Sequence, residues 1–179
     1  GNTQGRLAQI SYRRATSAKG ITAREDYAET LAKEGDDYLQ EAEKYFRQAL
    51  SLIPKPGELS TENNSDNPIS ETDRRKYDVI ETRTRLNLLK LYRRFSIPEQ
   101  TSSPLAPRQQ RLSTDIVPLQ QRLSELIPSL PESRETAYAA IALAQSYQKE
   151  FSPFSCYSGE RETDVQKWLS LAQSISENI

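Results

Sequence analysis

Lys76, Arg83, Asn87, Lys90 and Arg94 follow one another at intervals of seven, four, three and four residues. At about 100° per residue they share an arc of about 60° on one helix face. Fixed positive charges, joined by an amide that both donates and accepts, suit one chemistry: charge-assisted hydrogen bonding to a peptide backbone or a carboxylate. Such groups set register and orientation, while apolar pockets supply most of the affinity. The same stripe also arises on a merely solvated helix face, where each charge contributes about 0.2–0.5 kcal/mol through local pairs. "SYRR" at 11–14 and "DRRK" at 73–76 are similarly basic and read as solvated faces.

Catalysis has little to work with. Histidine is absent and Cys156 is the only cysteine. That closes the Ser-His-Asp triad, the Cys-His dyad, imidazole metal ligation and an intramolecular disulfide. Glu34, Asp36 and Asp37 cluster without the ligand spacing of a calcium loop, so they read as turn and capping residues. The six glycines form no phosphate-cradling pattern. No catalytic residue, metal ligand or cofactor is expected, and Cys156 in "SPFSCYSG" reads as a surface thiol.

Lys+Arg number 24 and Asp+Glu 25. A nucleic-acid-binding domain carries a clear basic excess, so nucleic acid is not the expected partner. No apolar run approaches the ~18 residues of a membrane span, so no membrane insertion is expected. "GNTQGRLAQI" lacks the apolar stretch of a signal peptide. The chain also contains no Met, as a processed chain would. The cytoplasm is the expected compartment, and a leader removed upstream would allow export.

The elements that must present the stripe are helices. Val occurs only at Val79, Val117 and Val165, no period-2 run appears, and Ala, Leu, Gln, Glu and Arg dominate. A first helix is expected from about Arg6 to Ala18, with Leu7, Ile10 and Ala15 inward. Gly20 then interrupts, and Thr22 caps a second helix carrying Tyr27, Leu31 and Ala32. Gly35 with Asp36 and Asp37 makes a turn or kink before a third helix that ends near Ile53. Later helices are expected at about 71–95, 108–127, 132–150 and 161–177. Ser133 and Thr136, with Pro131 just before, suit a helix start. Loops rich in Pro, Ser and Asn fall at about 54–70 and 96–107.

The stripe helix is apolar on more than one side. Tyr77, Ile80, Thr84, Leu88, Leu91 and Phe95 lie within about 80°, and Leu86, Leu89 and Tyr92 extend that surface, as on an inner helix of an array. The last helix groups Val165, Trp168, Leu169, Ala172 and Ile175, with Trp168 expected in the core. Trp168 and Leu171 lack an obvious polar outer cap, so either more helices follow in a larger parent protein or the terminus self-associates.

Ala42, Phe46, Ala49 and Pro54 stand at offsets of four, three and five. Small residues let helix axes approach, and the proline ends the helix. "YFRQALSLIP" resembles the second half of a tetratricopeptide repeat; Gly35 lies about two residues too far from Ala42 for the first half. More widely, Arg85, Leu86 and Asn87, then Leu130, Pro131, Ser133 and Arg134, then Ile141 to Ser146 resemble the helical region of CHAT-domain proteins, common in cyanobacteria. Ala142 stands where that pattern has asparagine. The resemblance implies a tetratricopeptide-like array that recruits or regulates; the family's caspase-like domain needs a His-Cys pair that this chain lacks.

The expectation is therefore an all-α chain, with 1–179 forming a single domain. About seven antiparallel helices would build a tetratricopeptide-like, right-handed superhelical array. Its expected role is non-enzymatic: binding a protein or peptide, or docking intramolecularly onto an adjoining domain of its parent. The alternative is the regulatory N-terminal fragment of a CHAT-type cysteine-protease-like protein whose catalytic domain lies elsewhere.

Overall fold

The computed structural model describes residues 1–19, 25–54, 70–96, 106–147 and 160–179. Six α-helices account for most of them: α1 (Asn2–Lys19), α2 (Glu25–Ser51), α3 (Glu71–Ser96), α4 (Ala106–Leu126), α5 (Arg134–Tyr147) and α6 (Glu160–Glu177). A short 3-10 turn, Ile127–Ser129, follows α4, and no strand occurs among the described residues. The 55–69 and 97–105 stretches of the expected loops lie outside the described residues, as do Gly20, Thr22 and Cys156.

The count differs from the expected seven because the second and third expected helices are one continuous α2. Gly35 does not break it. A Cβ on Gly35 would stand 2.6 Å from Cε1 of Tyr12, so glycine is there to let α1 cross close over α2. Asp36 is likewise no turn residue: it lies inside α2, where the Tyr12 hydroxyl donates to its carboxylate at 2.5 Å. Glu34 and Asp37 are also mid-helix, which corrects the turn-and-cap expectation for all three. Three apolar residues expected inward are exposed instead: Ile10, Tyr27 and Leu169. Beside Ile10 and Tyr27 burial falls on the small residues Ala8 and Ala28, because close-packed crossings favour alanine over bulk, whereas beside Leu169 it falls on Trp168.

The helices pack as consecutive partners, α1 with α2, α3 with α4 and α5 with α6; α3 also meets α1, α2 and α5. Ala42 is fully buried and Phe46 nearly so; Ala49 and Pro54 are half-buried. The principal core runs from Ala8 and Tyr12 through Leu88, Leu89 and Tyr92 of α3 to Leu123, Leu143 and Trp168. A satellite cluster holds Ala15, Leu31 and Ala32. On α3, Leu86, Leu88, Leu89, Leu91 and Tyr92 are all buried, so this helix is enclosed on more than one side; Ile80, expected within the apolar arc, is exposed.

Four buried or part-buried polar links tie each helix to the next from α1 to α5. Tyr12 donates to Asp36 between α1 and α2. Tyr92 donates to Glu43 at 2.8 Å between α3 and α2, and Arg47 closes the group with bonds to Glu43 (2.7 Å) and to the Tyr92 oxygen (3.2 Å). Burial, with the Glu43 carboxylate beside it, pushes the Tyr92 phenol up, so it stays a donor. Arg122 of α4 donates to Glu81 of α3 at 2.9 Å. Gln120 of α4 donates to the Ser146 carbonyl and hydroxyl of α5, both at 3.0 Å. A slip in register would strand these groups, so they specify helix alignment as well as adding stability.

Candidate functional site

Helix α3 is the centre of the site, and its start is well defined. The Ser70 hydroxyl accepts from the Asp73 N–H at 3.1 Å and donates to the Asp73 carboxylate at 2.9 Å. Glu71 pairs with Arg75 and Asp73 with Lys76, placing acids at the positive end of the helix. Lys76 is thereby spent at the first turns of α3 and lines neither trough described below. Arg94 belongs to α3, but its side chain lies outside the described residues.

Arg83, Asn87 and Lys90, the middle of the stripe, do come together on one concave surface. They line a trough of about 380 Å³ between α3 and the start of α5. Its apolar lining comes from Val79 and Leu86 of α3, Leu130 and Pro131 of the preceding turn, and Ala139 of α5. Tyr138, 72% exposed, adds an aromatic wall. Thr82 also lines the trough, with its hydroxyl itself buried and without a hydrogen-bond partner among the described residues.

The α5 wall is held by its cap. The Ser133 hydroxyl accepts from the Thr136 N–H at 3.2 Å, and the Thr136 hydroxyl donates to the Pro131 carbonyl at 2.7 Å. The "LPES" turn is thus tied to the first turn of α5, which fixes Leu130 and Pro131 against α3. Glu135, in that first turn, receives a hydrogen bond from Arg83 at 3.1 Å.

A second trough, of about 230 Å³, continues the surface toward α1. Asn2, Gly5 and Arg6 of α1 line it together with Asn87, Lys90 and Leu91 of α3. A Cβ on Gly5 would fall 2.7 Å from Cδ1 of Leu91, so this glycine permits the close approach of α1 to α3. Among the described residues, Arg6, Arg83 and Lys90 are the cations of the two troughs, and Glu135 is the one carboxylate lining either.

Beneath the surface, α3 is anchored to α4 through Glu81. Burial of this carboxylate opposes ionisation, but hydrogen bonds from Arg122 at 2.9 Å and Arg85 at 2.7 Å outweigh it, holding the acid below its ordinary range. A third depression is lined, among the described residues, by Gln40, Glu43, Lys44, Arg47, Gln48 and Ser51 of α2, a set of polar residues of both charges.

Sequence reasoning missed Asn2, Arg6, Thr82, Glu135 and Tyr138. Asn2 and Arg6 share a helix face at an interval of four, but nothing local says that this face meets Lys90. Tyr138 carried a signal, a large ring isolated in the alanine-rich "ETAYAAIALAQSY". Among the described residues no group of His, Cys, Asp or Glu could hold a metal ion, and no helix is long and apolar enough to cross a membrane. No family model, curated protein or solved structure matches the chain.

Proposed function

We propose that this chain is a non-enzymatic, tetratricopeptide-like scaffold that holds an extended, acidic peptide segment along α1, α3 and α5. The observation that carries the proposal is the adjacency of Arg83, Asn87 and Lys90 to an apolar trough on one side and to Arg6 on the other. Cations orient and an apolar lining adds affinity, the division of labour usual at peptide interfaces.

The array architecture belongs to the same proposal: antiparallel pairs winding into a right-handed superhelix, as the resemblance to the CHAT-associated helical region implies. Supporting it, Gly1 at the start of α1 lies against Phe46 near the end of α2, while Ala15 clusters with Leu31 and Ala32 near its beginning. Helix α3 touching α1 and α5 suits an inner row formed by the first helix of each pair. The segment held belongs to another protein or to an adjoining domain of the parent; both present the same chemistry, and a peptide added in trans detects either.

Titration calorimetry against a panel of acidic and C-terminal peptides tests this, with Lys90→Glu and Arg6→Glu as variants. Each reversal should weaken binding about tenfold or more, since it replaces an attraction with a repulsion. Undiminished binding in both variants would remove the groove from the account.

A further inference from the structure

We infer that the two troughs read one peptide as a pair: an apolar side chain in the larger and a carboxylate side chain in the smaller, two residues apart. This rests on the groove proposed above. The troughs are contiguous, because Asn87 and Lys90 line both. Their chemistry differs: the larger offers Val79, Leu86 and Pro131, whereas the smaller offers donors from Asn2, Arg6 and Lys90 with no carboxylate among its described lining residues.

Spacing along α3 sets the interval. Its residues lining the larger trough centre about five positions before those lining the smaller. At 1.5 Å per residue that is about 7 Å, the advance of two residues of extended chain at about 3.3 Å each. Residues i and i+2 of an extended chain project to the same side, so one segment can lower both side chains onto α3.

The test uses the full chain and short peptides carrying a neutral, carboxylate-free fluorophore (a BODIPY dye), capped so that their only carboxylate is a side chain. One carries Leu-Ser-Glu in a Gly-Ser background and one Glu-Ser-Leu; companions replace leucine by alanine or glutamate by glutamine. At least one order should bind, weakened about tenfold by loss of the leucine side chain and about fivefold by loss of the charge. Lys90→Glu should abolish the preference for glutamate over glutamine yet keep that for leucine over alanine; Tyr138→Ala should diminish only the leucine preference. Both side chains are exposed, so neither variant threatens folding. If all peptides bind equally and Lys90→Glu weakens them all, the paired readout is overturned and the groove stands. If no acidic peptide binds, both are overturned.

Discussion

Arg83 of α3 and Glu135 of α5 face each other at 3.1 Å beside the larger trough, with side chains 67% and 71% exposed. An ion pair this exposed is worth ~0–1 kcal/mol. It is therefore weak enough for an incoming carboxylate to displace. In the free protein Glu135 acts as an internal stand-in for the acidic group of the proposed occupant.

The Glu135→Gln variant should consequently bind acidic peptides more tightly, by about two- to fivefold at low salt, because Arg83 loses its internal competitor. Stability should move the other way by about 0.3–1 kcal/mol, since Glu135 also complements the positive end of α5. Fluorescence anisotropy and chemical denaturation separate the two effects. Weaker peptide binding would contradict the role given to Glu135.

Gly35→Ala tests the α1–α2 crossing. In an open helix this change would gain up to about 1 kcal/mol in propensity. Here the new methyl must push into the buried Tyr12 ring, at a cost of about 1–3 kcal/mol. A net loss of about 1 kcal/mol is expected in urea denaturation, with overpacking outweighing propensity. A stabilised variant would mean that the close crossing is absent in solution.

Glu81 predicts an acid-sensitive α3–α4 interface. Its folded-state pKa lies below the ordinary glutamate value of 4.5. The stability it contributes is therefore fully present above that value and lost as pH falls through the lowered folded pKa. Glu81→Gln should cost about 1–2 kcal/mol at neutral pH, between an exposed and a fully buried pair. It should also flatten the fall in denaturation midpoint below about pH 4.5. A variant whose midpoint falls as steeply as that of the parent chain would show that Glu81 is not the titrating link.

The helical class was legible because propensity and apolar periodicity agree in most segments, and the start of α5 was legible from Ser133 and Thr136 with Pro131 just before them. Gly35 misled because its local meaning, a helix interruption, is overridden by Tyr12, a contact with a residue remote in sequence. The stripe was half legible. Angular spacing placed Arg83, Asn87 and Lys90 on one face, but Lys76 is drawn to Asp73 beyond both troughs. Which helices complete the surface is decided by packing. Gly5 and Leu91 bring Arg6 beside Lys90, and the Ser133 cap sets Tyr138 and Glu135 opposite α3. Periodicity within one helix carries no trace of such relations.

The central claim is that the face built by α1, α3 and α5 receives an acidic peptide, and amide chemical-shift mapping of the isotope-labelled chain during a peptide titration addresses it most directly. The account predicts saturable shifts concentrated at Arg6, Asn87, Lys90 and Tyr138. Shifts confined to the polar depression of Gln40, Lys44 and Gln48, or to the outer residues of α6, would contradict it.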